Sequence, residues 1–169
     1  MMKSSTIVVI VVILLILIGY VVYSNFISVG TVNVYVQDAP SSSGLFKIYL
    51  TVSSIMLHKV SSSGNGSWIT VSNKTTTILL SSNMSLLASA KVPVGSYNEV
   101  FLVVTSATVQ IGNTNVTVTV PSGVFKIHII NGMRISGGST TNLLISFPHI
   151  TYANGQLIIS PSITAQVIS

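Results

Sequence analysis

An antiparallel β-sandwich behind one transmembrane-type helix is the fold this sequence predicts, and three observations predict it. The first is an uncharged apolar run, Ile7–Tyr23 (IVVIVVILLILIGYVVY). The second is a switch, after Val29, to two-residue alternation of apolar and polar side chains. The third is the Gly, Pro, Asn and Ser punctuation that cuts the remainder into roughly nine to eleven short strands. The chain therefore divides into an N-terminal hydrophobic helix, residues 1–28, and an all-β domain, residues 29–169. The strand-rich part shows no internal repeat and no low-complexity linker, so it reads as one domain.

With Ser4–Thr6 and Ser24–Ile27 added, the apolar run reaches the about twenty residues that cross a bilayer as a helix. Tyr20 and Tyr23 near its far end suit a membrane interface. Lys3 is the only flanking charge and precedes the run, so the positive-inside tendency puts Met1 in the cytoplasm and the chain after about Asn25 outside. A secretory signal would need a small-residue cleavage site, and Tyr23-Ser24-Asn25 is a poor one. The expectation is a single-pass anchor. A cleaved signal, and a pilin-type signal processed near Lys3-Ser4, stay open.

Val32, Val34 and Val36 alternate with Thr31, Asn33, Tyr35 and Gln37, the pattern of a strand with one buried face. Leu45–Val52 resumes strand chemistry and continues through Ile55, Leu57 and Lys59 past a bulge at Ser53-Ser54. Ser61–Ser67 is a loop and Trp68–Val71 a short strand. Thr77–Ala88 fits either a short helix or a loop and strand. Pro93–Gly95 turns the chain into Tyr97–Thr105. Ala107–Ile111 and Val116–Val120 flank Gly-Asn-Thr-Asn as a hairpin, and Ile150–Ile158 makes another around Asn154-Gly155. Val124–Ile130, Leu143–Phe147 and Ile163–Val167 supply further strands.

Composition excludes several functions. The chain is 49% hydrophobic and 5% charged, with no cysteine and a net charge of +5 that reflects scarce acid. Disulfides, thiolate nucleophiles and Cys-ligated metals are ruled out. Lys47, Lys59, Lys74, Lys91, Lys126 and Arg134 are scattered singly, without the clustering that nucleic-acid binding requires. Asp38 and Glu99 are the only carboxylate side chains, and paired-carboxylate catalysis would need both in one site. Glu99 reads as a solvated strand residue. Asp38, followed by Ala39-Pro40, reads as a cap on the turn that ends the first strand, because proline holds Ala39 extended and an aspartate accepts backbone N–H bonds there. No G-x-S-x-G elbow accompanies the serines. His58, His128 and His149 are far apart in sequence and read as ordinary strand histidines unless the fold gathers them. Trp68 reads as core or as a lid over one end of the sandwich, with sugar stacking the sharper alternative. No catalytic, cofactor or metal residue is assigned. Four N-x-S/T sequons, at Asn65, Asn73, Asn83 and Asn115, fall on the side expected outside and are candidate glycosylation sites.

The order of landmarks resembles a family of secreted prokaryotic domains, the domain of unknown function numbered 4382, frequent in archaeal surface proteins. The marks are Gly30 with Asp38-Ala39-Pro40, a strand ending near His58, and the turn Pro93-Val94-Gly95-Ser96-Tyr97. They cover about Gly30 to Ser162, and the chain departs at Glu99-Val100-Phe101, where a basic residue is expected. The resemblance implies an immunoglobulin- or transthyretin-like sandwich, a surface location and no established activity.

These readings converge on a non-enzymatic, membrane-anchored, outward-facing and glycosylated surface domain with a structural or adhesive role. Its expected partners are the lipid bilayer, through the helix, and copies of itself or other envelope proteins; no cofactor and no nucleic acid are expected. The alternative is a secreted filament subunit, with Phe26–Val36 (Phe26, Val32, Val34 and Val36 its apolar positions) or Ile163–Val167 as a strand donated to a neighbour. A sugar- or metal-binding accessory module is the third class.

Overall fold

The apolar run forms one helix, α1 (Ser4–Val22), which ends in a π-helical turn, Tyr23–Ile27. Short polar side chains loosen that last turn. Val21 O accepts from Ser24 Oγ at 3.2 Å and from Asn25 Nδ2 at 2.9 Å, while the Ser28 N–H reaches five residues back to Tyr23 O at 2.9 Å. The stretch Thr6–Ile27 is long and apolar enough to cross a membrane. The computed structural model describes residues 4–38, 46–118, 123–147, 150–153, 156–159 and 163–169. The expected Ala39-Pro40 turn, His149 and the Asn154-Gly155 turn lie outside them.

Twelve strands follow among the described residues: β1 (Val29–Asp38), β2 (Phe46–Lys59), β3 (Ser67–Ser72), β4 (Thr76–Leu80), β5 (Ser85–Pro93), β6 (Gly95–Ile111), β7 (Thr114–Val118), β8 (Val124–Ile135), β9 (Thr140–Phe147), β10 (Ile150–Ala153), β11 (Gln156–Ile159) and β12 (Thr164–Ile168). The main sheet runs β3-β2-β6-β8-β12-β9-β1-β5, with β4 beside β2 and β7 beside β6. Its two ends approach, β5 facing β3 and β4, so the sheet is nearly closed and barrel-like. β10 and β11 form a separate hairpin.

Two long antiparallel strands, β2 and β6, carry one half of this sheet. Their register shifts between Thr51 and Ser54, where the serine pair predicts a bulge, and the neighbours change there: β4 pairs β2 before it and β3 after it. Thr77–Ala88 resolves as β4, a turn and β5, with no helix. β6 runs unbroken through Ser106, which the sequence reading places between two strands.

The antiparallel expectation holds only in part. β1 lies parallel to β9, and β8 meets β12 parallel through Ala165 and Ile129. Neither pair is joined by a hairpin, so no turn fixes its direction. The excursion of β8 toward β12 is made by Asn131 (φ 60) and Gly132 (φ 66), a left-handed bulge between the His128–Glu99 and Met133–Tyr97 pairs. Two-residue alternation sends Val32, Val34, Leu50, Leu57, Val100, Leu102, Ile129, Leu143 and Ile145 inside, all essentially inaccessible.

Candidate functional site

Two surfaces gather the residues that carry chemistry. The first is the junction between helix and domain. Ile27 ends the membrane-length stretch and β1 begins at Val29, leaving only Ser28 between them. Ser28 O accepts from the Val94 N–H at 3.0 Å and Val29 O from the Gly138 N–H at 2.9 Å. Gly137 lies so close to the Ile27 backbone that a Cβ there would strike its carbonyl. Gly30 is similarly confined, with Ser136 O 2.5 Å and Ile135 Cγ2 2.6 Å from where its Cβ would stand. Tyr97 closes this end from inside: its side chain is buried, and its hydroxyl donates to Pro93 O at 2.6 Å. A tyrosine near the start of a strand, bonded back to upstream backbone, is the corner device of Greek-key sandwiches. Burial pushes the Tyr97 pKa from 10.0 up to about 12.

The second surface is the outer face of β3-β2-β6-β8. Register places Trp68, His58, Glu99 and His128 side by side across the four strands. The Trp68 ring centroid lies 4.9 Å from that of His58 and 5.3 Å from that of Phe101, and the residue is 42% exposed. His58 Nδ1 lies 2.8 Å from Asn98 Oδ1, Asn98 being the extra residue of a bulge in β6. Gly66 lets the preceding loop lie against the same imidazole. Lys126 Nζ approaches Glu99 Oε2 at 3.1 Å, the lysine exposed and the carboxylate half-buried.

The two carboxylates are not brought together. Asp38 ends β1 beside Phe147, its N–H donating to Ser81 O at 2.9 Å, whereas Glu99 sits in β6, in the other half of the sheet. His58 and His128 flank Glu99 in register. Even so, no group of three or more His, Cys, Asp or Glu among the described residues is placed to hold a metal ion. Trp68 is neither core nor lid; it lies on the outer face. All four sequon asparagines are exposed: Asn65 in the loop before β3, Asn73 after β3, Asn83 in the β4–β5 turn and Asn115 in β7. Of the predicted turn residues, Pro93 ends β5 and Gly95 opens β6 at φ 147, while Pro40 lies outside the described residues. Val32, Val34 and Val36 belong to β1, bonded on one side to β5 and on the other to β9; Phe26 is exposed in the π-helical turn.

The sequence reading missed the junction. Its signals are the pair Gly137-Gly138, and Arg134, read as an isolated cation. Three of the landmarks behind the family resemblance, Gly30, His58 and Pro93–Tyr97, meet at this end of the domain: Gly30 pairs with Val92, and Lys59, next to His58, pairs with Tyr97.

Fold and surfaces together define an all-β domain carried directly on one membrane-length helix. The chain belongs to the domain of unknown function family DUF4382, whose profile matches residues 29–161. No curated protein matches it by sequence. Among solved structures it is similar to a candidate cell adhesion protein from Bacteroides eggerthii, at 11% identity and a TM-score of 0.40, over 83% of this chain and 54% of that one. A second candidate cell adhesion protein, from Bacteroides ovatus, matches at 9% identity and a TM-score of 0.28, over 84% and 46%. The chain spans about half the length of each.

Proposed function

We infer that this is a non-enzymatic surface protein, anchored by α1 with its N-terminus in the cytoplasm and its β domain outside, where it has a structural or adhesive role. The observation that carries this reading is the junction. A helix long enough to span a bilayer runs, through one residue, into a strand hydrogen-bonded on both sides. Such a strand holds the domain at the membrane surface at a fixed attitude, which suits presentation of a contact face. The Trp68–His58–Glu99–His128 row is the face we assign to contact, and glycans on Asn65, Asn73, Asn83 and Asn115 would shield the remainder. The fold reading that accompanies it is a sandwich of the immunoglobulin or transthyretin kind; the Tyr97 corner, and β8 as the strand shared between its two halves, support it.

Membrane fractionation with N-terminal sequencing tests the anchor. The expected result is a chain that keeps α1, resists alkaline carbonate extraction and is cut by protease added outside intact cells. A soluble chain starting after about Asn25 would make α1 a cleaved signal. Recovery of the chain only in isolated envelope fibres would favour the filament subunit.

A further inference from the structure

A groove of about 430 Å³ opens beside the helix exit, lined by Ile27, Val94, Gly95, Ser96, Arg134, Ile135, Ser136 and Gly137. Its wall therefore includes the last residue of the membrane-length stretch. Because Ile27 passes to β1 through Ser28 alone, no linker can lift the groove away from the plane where α1 leaves the hydrocarbon. Arg134 is exposed on this wall. The Lys59 side chain lies over Gly95, with Nζ 3.4 Å from where a Cβ would be. Asp38 ends β1 at its opposite end, and Glu99, across from His58, is paired with Lys126. Ser96 and Ser136 add small polar side chains to the wall, and Lys59 stands beside it, over Gly95. Tyr20, Tyr23 and Phe26 are exposed on the adjoining turns, as interface aromatics are.

From these observations we propose that the groove is a lipid headgroup site. It takes the phosphate of an anionic phospholipid from the bilayer that α1 spans, with Arg134 and Lys59 as its cationic partners and the acyl chains lying along the helix. The charge supports it: two cations without an ion pair among the described residues, at the height where phosphates lie. The size supports it too, since the volume falls in the range of ordinary small-molecule pockets. The inference rests on the anchored reading given above.

The test uses the full chain in nanodiscs, either of phosphatidylcholine alone or of phosphatidylcholine with phosphatidylglycerol, and follows modification of each lysine by an amine-reactive reagent. Lys59 should react about five-fold more slowly in the anionic discs, the factor that one cation's attraction to an anionic surface supports. Lys47, on the far part of β2, should be indifferent. High salt and Arg134→Gln should each remove most of the Lys59 difference, whereas Lys47→Gln should not. Inserted protein with equal Lys59 reactivity in both discs overturns the headgroup site and leaves the anchor standing. Equal protection by inorganic phosphate in neutral discs overturns the lipid source in favour of a free anion. A chain that does not insert overturns the anchor, and the headgroup site with it.

Discussion

At the helix-proximal end the contacts run through backbone: the Ser28 and Val29 carbonyls accept from Val94 and Gly138, and the Gly137 backbone rests on Ile27. On the outer face of β3-β2-β6-β8 they run through side chains: an indole beside an imidazole and a phenyl ring, and an ammonium on a carboxylate. Backbone contacts leave no room for substitution and fix geometry. Side-chain contacts on an open sheet tolerate substitution and are free to meet a partner. On the proposed reading, the two ends of that scale separate the part of this molecule that positions from the part that presents. Substitutions at the junction should therefore cost far more stability than substitutions on the face.

The largest effect is expected at Gly30. An alanine Cβ would stand 2.5 Å from Ser136 O and 2.6 Å from Ile135 Cγ2, in a strand bonded on both sides and unable to shift. Thermal unfolding in detergent should show Gly30→Ala destabilised by about 3 kcal/mol. Gly137→Ala should act more locally, lifting the Ile27 backbone and speeding hydrogen exchange at the Val94 amide, which is bonded to Ser28. An unchanged Val94 exchange rate would mean that the junction is not the fixed element described above.

Tyr97 comes next, and it adds a pH signature. Tyr97→Phe leaves Pro93 O without its 2.6 Å donor and should cost about 1–2 kcal/mol. Burial holds the folded pKa at about 12 against 10.0, so folding favours the neutral phenol. That contribution is complete below pH 10 and is lost as pH rises through 10 toward about 12, where the unfolded chain sheds the proton first. Alkaline titration of stability should thus fall more steeply in the wild type than in Tyr97→Phe over that interval. Parallel curves would detach the corner from the alkaline limit.

Much of the domain was legible because alternation and turn chemistry are local. The Val32–Val34–Val36 face, the Ser53-Ser54 bulge and the hairpin at Gly112 all follow from neighbours in sequence. The parallel pairing of β1 with β9 was not legible, because it joins strands more than a hundred residues apart with no turn between them. Thr77–Ala88 stayed ambiguous because the leucine pairs Leu79-Leu80 and Leu86-Leu87 fit either period. The structure separates them: Leu80 and Leu87 go inside, and Leu79 and Leu86 stay exposed. The row across the outer face was hidden for the same reason as the parallel pair. His58, Glu99 and His128 become neighbours only through strand order.

Trp68→Ala tests the face at its largest side chain. With 42% of the residue exposed, the loss should be about 1 kcal/mol, mostly its ring contacts with His58 and Phe101. If the face presents, the same variant should lower adhesion of cells bearing the chain while surface abundance holds. A cost as large as that of Gly30→Ala would instead make Trp68 part of the frame and erase the contrast.

Glu99→Gln should be the mildest. The Glu99–Lys126 pair is 3.1 Å apart, but the lysine side chain is 58% exposed, so water and salt screen the attraction. Removing the charge should shift stability by less than about 0.5 kcal/mol, and less again at high salt. Its value lies in the neighbours. Register sets Glu99 between His58 and His128, so the substitution changes the charge of the whole row without changing its shape. Binding of a charged partner to this face should then respond to Glu99→Gln and to Lys126→Gln in opposite directions, at nearly constant stability. A face that recognises its partner through the Trp68 and Phe101 rings alone would answer to neither, and the two substitutions together tell those modes apart.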